Sequence, residues 1–286
     1  MYLLKKSLLL SSFSLAILTF SLTSCFGDEE DEPTLVGNYD VVVDNIGFNV
    51  NLPTMTATAA GISSKVTGTV TIPSTITMNG RDFTVTSIGG FGYSKVSQVV
   101  LPNTIETIRG LAFKGCEKLN NVNIPNSVSY IGMNAFLESG IKDITIPSSV
   151  TEIETFSFMG CKNLRSMTIE DSSDPLKFEL EIYRNSNDLS GYSFEELYLG
   201  RNITNIASIP KKKLVVGEYV TRLGSYSGIS FDFPLEIWSY AQTPPTCYIR
   251  ASNAALMNSV VYVPEDYVEI YQEDSEWGKF WNIVGI

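Results

Sequence analysis

Two pairs of carboxylates, Glu152 with Glu154 and Glu195 with Glu196, have the residue type for acid–base chemistry. A glycosidase needs two carboxyls facing each other across a cleft. These pairs read instead as solvated edges of a rod. Asp171 and Asp174 are candidates to touch calcium, but the spacing of an EF-hand loop is missing. The chain contains no histidine. That removes Ser-His-Asp and Cys-His nucleophiles, His-ligated zinc and the HExxH helix. No glycine-rich phosphate loop joins a strand to a helix. The reading is of a chain that is not an enzyme, with no cofactor, metal or catalytic residue.

What positions these side chains is a repeat. Val96, Val99 and Leu101 open a unit that returns as Leu119, Val122 and Ile124, then as Ile141, Ile144 and Ile146, then as Leu164, Met167 and Ile169. Its third apolar position steps from 101 to 124 to 146 to 169, spacings of 23, 22 and 23. Further columns hold register: Ile105, Val128 and Val150; Ile108, Ile131 and Ile153; Phe113, Phe136 and Phe158. A fixed period of this length marks a solenoid of stacked coils, in which no coil buries its apolar set alone. The apolar–polar alternation before each third position reads as a half-buried strand. Pro102, Pro125 and Pro147 then end the ladder, since proline offers no N–H. Gly89, Gly110 and Gly132 cluster near the next bend, where positive φ is expected.

The period also places the cysteines. Cys116 and Cys161 share a column with Ser139 between them. Coils stack about 4.8 Å apart, so two coils separate them by about 10 Å. A disulfide needs Cα atoms within about 7 Å. Both are expected to be free, buried thiols. Cys247 stands alone.

In chain order, residues 1–25 read as a secretory signal, with Lys5 and Lys6 before an apolar run from Leu8 to Leu22. Small residues before Cys25 resemble the bacterial lipobox, which implies lipid attachment at Cys25 and membrane association through that lipid. Residues 26–33 form an acidic tether, similar to a surface-export signal. Residues 34–66 are expected to cap the solenoid with two strands around Asn45 to Gly47. The solenoid spans 67–240, regular to 169 and irregular after. Its first coil carries a hairpin from Ile76 to Val85 about Asn79-Gly80. Lys177 to Tyr183 alternates in period two and is expected to add an extra strand or protruding loop. Leu197 with Leu199, Leu214 with Val216 and Leu235 with Ile237 continue the strand column. Lys211 to Lys213 reads as a solvated bend. Residues 241–286 form a C-terminal cap, with Pro264 opening a helix and Tyr267, Ile270, Tyr271, Trp277, Phe280 and Trp281 closing the core.

The segments Ile124-Pro-x-Ser-Val-x-x-Ile131-Gly-x-x-Ala-Phe136 and Phe158-x-Gly-Cys161-x-x-Leu164 resemble the BspA-type leucine-rich repeat of bacterial surface proteins. Thr243-Pro-Pro, Val261 to Pro264, Tyr271, Trp277 and Phe280 look like that family's usual C-terminus. The resemblance covers about residues 66–286 and weakens over 170–240. It implies an α/β-type, strand-dominated, right-handed leucine-rich-repeat coil with a parallel strand sheet and caps at both ends. It further implies a lipoprotein of Gram-negative bacteria, on the outer-membrane surface, that binds or adheres to a host or matrix protein or glycan.

With 20 Lys and Arg against 31 Asp and Glu, the net charge of −11 argues against a nucleic-acid partner. The period predicts two outward lanes on the strand face. One holds Thr145, Thr168, Tyr198, Val215 and Glu236; the other holds Asp143, Ser166, Glu196 and Lys213. The bulkier second half, with Tyr183 and Tyr192 from the 174–194 excursion, is the expected contact site. Its candidates are Tyr183, Tyr192, Glu196, Tyr198, Lys213 and Glu236. An alternative role is glycan capture in a surface nutrient-uptake system, using aromatics such as Trp238 or Trp281.

Overall fold

Three phenylalanine rings set the scale of the molecule. Phe113, Phe136 and Phe158 stack with centroids 5.2 Å apart at each step and interplanar angles of 18° and 7°. Phe91 and Phe178 close the two ends of the pile edge-on, each at 6.0 Å. Successive coils therefore bring each ring onto the next at strand-to-strand spacing, as the register of the sequence requires. This computed structural model describes residues 35, 37–183, 191–224 and 228–286, all within the unit Pro33–Ile286. The signal segment, Cys25, the acidic tether and residues 184–190 of the excursion lie outside the described residues.

Each coil contributes two strands where one was expected. On the front, Asp143–Ile146, Ser166–Ile169, Glu196–Leu199, Lys213–Val216, Glu236–Ser239, Val260–Val263 and Asn282–Gly285 form a seven-stranded parallel sheet. Thr67–Thr71, Lys95–Val100 and Asn121–Val122 form a separate parallel sheet before it. The Asn123 amide caps that sheet, accepting from Leu101 N–H at 2.9 Å and donating to Leu101 O at 3.1 Å. On the back, the Ile108, Ile131 and Ile153 column forms its own parallel ladder, which runs from Thr56–Ile62 and Arg81–Ile88 at one end to Ile203–Ile206 at the other. Strands of two residues, such as Tyr130–Ile131, leave too little alternation to be read as strands.

The strand expected within Lys177 to Tyr183 is present as Leu176–Leu180, but it belongs to the regular back ladder rather than protruding from it. It pairs in parallel with Glu152–Ile153 and Ile203–Ile206, so it is that coil's back strand. Before the coils, Val41–Val43 and Ile46–Asn51 make a hairpin about Asp44 and Asn45, with φ of 50° and 65°. A third strand, Thr56–Ile62, joins that hairpin to the back sheet. The Asn79-Gly80 hairpin forms with Met78 opposite Arg81.

The bend glycines act through space rather than φ. Gly110 and Gly132 do not adopt positive φ. A Cβ on Gly132 would stand 2.5 Å from Gly110 N, so its role is close coil approach. The left-handed positions are Leu111, Asn134 and Phe156, with φ of 62°, 58° and 60°. A second such column holds Tyr93, Gly115, Glu138 and Gly160.

Cys116 and Cys161 are buried and free, and Cys247 is free and half-buried. Each buried thiol donates to a carbonyl of the preceding coil at 3.0 Å: Cys116 to Phe91 and Cys161 to Phe136. Burial pushes the Cys161 thiol up to about 11. Near the C-terminus, Pro264 precedes a 3-10 turn, Glu265–Tyr267, and a helix, Val268–Glu273. Tyr271, Trp277 and Phe280 are buried, but Ile270 and Trp281 face solvent, Trp281 at 70% exposure.

Candidate functional site

Strand register decides what the front face presents. Thr145 stands beside Thr168, Thr168 beside Tyr198, Tyr198 beside Val215, Val215 beside Trp238, and Trp238 beside Tyr262. The neighbouring lane runs Asp143, Ser166, Glu196, Lys213, Glu236 and Val260. Both lanes point outward because the residues between them, such as Leu197, Leu214 and Ile237, are buried. Glu236 was expected beside Val215 but lies beside Lys213, and Trp238 takes the place beside Val215. The cause is Ser239, which sits in an apolar column opposite Val216. Its hydroxyl is satisfied by the buried Tyr271 hydroxyl at 2.7 Å, and that tyrosine also donates to Ala241 O at 3.0 Å. A serine in that column hides the true register from a search for apolar residues.

The first half of the face is small and polar; the second is aromatic and charged. Trp238 and Tyr262 stack with centroids 4.4 Å apart and planes 27° apart. Lys213 Nζ stands 4.9 Å from the Trp238 ring centroid and 4.0 Å from Glu236 Oε1. The Trp238 indole N–H donates to the Glu236 carboxylate. Tyr198 donates its hydroxyl to Asp171, at 2.8 Å and 2.9 Å to the two carboxylate oxygens. Partial burial, then this bond to a carboxylate, pushes the Tyr198 hydroxyl up to about 12.

Of the six expected contact residues, Glu196, Tyr198, Lys213 and Glu236 come together on this face. Tyr183 and Tyr192 do not join them. Each is 9% exposed, and their rings pack edge-on at 5.2 Å. Tyr183 donates its hydroxyl to Ile209 O at 2.8 Å, and burial pushes that hydroxyl up. They are core residues. Trp238 is on the face, while Tyr262 was missed there. The signal in the sequence was an aromatic between two inward positions: Leu197-Tyr198-Leu199, Ile237-Trp238-Ser239 and Val261-Tyr262-Val263.

The carboxylate pairs have structural partners. Glu152 pairs with Lys177 Nζ at 2.6 Å, and Glu154 accepts the Met133 N–H at 2.8 Å. The Glu154 carboxylate, as hydrogen-bond partner, pushes the Tyr130 hydroxyl up to about 12. Glu195 pairs with Lys212 Nζ at 2.9 Å. Among the described residues, no group of three or more His, Cys, Asp or Glu is arranged to hold a metal ion.

Residues 86–209 match, in six copies, the family model described as BspA type leucine rich repeat region. No curated protein matches the chain. Among solved structures, the chain is 29% identical to a leucine-rich repeat protein from Bacteroides capillosus ATCC 29799, over 44% of this chain and 95% of that one, with a TM-score of 0.41. A leucine-rich repeat protein from Bacteroides ovatus ATCC 8483 is 19% identical over 86% of this chain and 88% of its own, with a TM-score of 0.36. A leucine rich cell surface protein from Faecalibacterium prausnitzii A2-165 is 14% identical over 88% of this chain and 95% of its own, with a TM-score of 0.36. The fold is strand-dominated with parallel sheets, and residues 86–209 are similar to the BspA type of leucine-rich repeat.

Proposed function

We propose that this chain is a cell-surface binding or adhesion module that recognises a protein partner through the second half of its front sheet and performs no catalysis. The observation that carries this reading is the outward lane of Tyr198, Val215, Trp238 and Tyr262. Tyrosine and tryptophan supply large contact area at a low cost in conformational entropy, and they dominate interface hot spots. A rigid sheet holds them without rearrangement. The reading includes display on the outer membrane through lipid on Cys25, with residues 1–25 as signal and 26–33 as tether. Replacement Cys25→Ser then releases the protein from the membrane fraction; unchanged membrane retention would remove the anchor from the account.

Glycan capture is the second reading, favoured by the exposure of Trp281. Trp238 serves it poorly, because Lys213 lies over its ring and Tyr262 stacks against it. The deciding experiment is a binding screen of the lipid-free chain, residues 26–286, against matrix proteins and polysaccharides. A protein ligand lost on Tyr198→Ala but kept on Thr145→Ala supports the face described above. The reverse pattern contradicts it, and polysaccharide binding lost on Trp281→Ala moves the function to glycan capture.

A further inference from the structure

The front strands end in a rim whose chemistry the aromatic lane does not use. After each strand, one residue continues the backbone ladder: Gly200 N–H donates to Ile169 O, Gly217 to Leu199 O and Tyr240 to Val216 O, each at 2.8 Å. The two glycines leave room for Asp171. A Cβ on Gly217 would stand 2.8 Å from Asp171 Oδ1, and one on Gly200 would stand 2.5 Å from Asp171 N. The Asp171 carboxylate therefore lies over the glycine step and holds the Tyr198 hydroxyl. Glu218 follows directly and acts as hydrogen-bond partner to the Tyr219 hydroxyl, which it pushes up. Asp171, Glu218 and Tyr240 all lie within electrostatic reach of Tyr198. Tyr219 and Tyr240 are 44% and 46% exposed.

Neither Asp171 nor Glu218 has an ion-pair partner among the described residues. Elsewhere on the same face an aromatic ring and a carboxylate already hold a cation. The Lys213 ammonium stands 4.9 Å from the Trp238 ring centroid and 4.0 Å from Glu236 Oε1. The rim repeats that complement of ring and carboxylate without supplying the cation itself. The net charge of −11 adds long-range attraction for a basic partner.

Resting on the protein-binding reading above, we propose that the rim formed by Asp171, Glu218, Tyr219 and Tyr240 docks a lysine- or arginine-bearing extended segment of the partner. The carboxylates take the charge, and the tyrosine rings take the cation's face and its aliphatic stem. A metal ion fits less well, since two carboxylates without further donors leave most of a calcium shell empty. A neutral sugar would leave both carboxylates without a countercharge.

The test uses the full chain and three fluorescent peptides of equal length, alternating serine with arginine, lysine or glutamate. Arginine and lysine peptides are expected to bind, and the glutamate peptide is not. Raising salt past the point where the Debye length falls below about 10 Å should weaken binding. The pair Asp171→Asn with Glu218→Gln should weaken it about tenfold or more, while Glu106→Gln on another coil leaves it unchanged. Tyr240→Phe should retain affinity, and Tyr240→Ala should lose about fivefold. All these side chains are exposed or half-buried, so an unchanged thermal midpoint confirms that each variant is folded. Equal binding of the arginine and glutamate peptides overturns the proposal, as does wild-type affinity in the double carboxylate variant. If a matrix protein binds through Tyr198 but basic peptides neither bind nor compete, this inference falls and the binding module stands. If no matrix protein binds through Tyr198, the module reading falls on its own experiment.

Discussion

Replacing Phe136 by alanine tests how tightly the coils depend on one another. Phe136 is fully buried between Phe113 and Phe158, each 5.2 Å away and nearly parallel. Backbone bonds fix that spacing: Phe113 N–H donates to Ala135 O at 2.7 Å and Phe136 N–H to Ser157 O at 2.9 Å. While those bonds hold, neighbouring coils cannot close over the missing ring, and the cavity persists. A buried phenylalanine truncated to alanine costs about 3–5 kcal/mol. Two lost ring pairs, each worth about 0.5–1.5 kcal/mol, put this site near the upper end. A domain of ordinary stability holds about 5–15 kcal/mol, so the variant gives up from about a third of that stability to all of it. Equilibrium urea unfolding followed by circular dichroism measures the loss, with the slope checking that the same surface is exposed. A loss below about 1 kcal/mol at unchanged slope would refute the reasoning, since a sandwiched ring cannot be so cheap to remove.

Two further outcomes follow from the packing. Gly132→Ala should cost about 1–3 kcal/mol, because the new Cβ would meet Gly110 N at 2.5 Å and force adjacent coils apart; an unchanged thermal midpoint would show that the coils have slack. Cys161 gives a pH dependence: burial holds its thiol protonated to about 11, against an ordinary 9.0. Between those values the unfolded chain binds fewer protons than the folded one, so stability falls as pH rises from about 9 to 11, by about 2–3 kcal/mol in all. Cys161→Ala should make that part of the curve shallower, the remaining slope coming from Cys116 and Cys247, whose thiols burial also pushes up; an identical slope in both proteins would contradict the buried Cys161 thiol as a source.

Much of this architecture was legible because its chemistry repeats. Ile108, Ile131 and Ile153, or Phe113, Phe136 and Phe158, return at one spacing, and only stacked coils give such columns a common core. The paired thiol positions were readable for the same reason: a two-coil separation is too long for a disulfide. The features that escaped lack such a signature. The back strands are two residues long at Tyr130–Ile131, below the length at which alternation means anything. One column of left-handed bends falls on Leu111, Asn134 and Phe156, so it could not be found by looking for glycine. On the front face, Glu236 was placed two residues out of register because Ser239 occupies an apolar column on the strength of one buried partner, Tyr271. Tyr183 and Tyr192 looked like surface aromatics in an irregular stretch. They are core residues because a longer coil still has an interior to fill.

The function proposed for this chain depends on the register that brings Tyr198, Val215, Trp238 and Tyr262 into one lane. Cysteine cross-linking across adjacent strands measures it directly, in a Cys247→Ser background. Val215→Cys with Trp238→Cys places directly opposed positions about 4.8 Å apart, within disulfide range. Val215→Cys with Glu236→Cys is offset by two residues along the strand, about 8 Å, and out of range. Rapid oxidation of the first pair and none of the second is the predicted result; the opposite would place Glu236 beside Val215 and dissolve the aromatic lane.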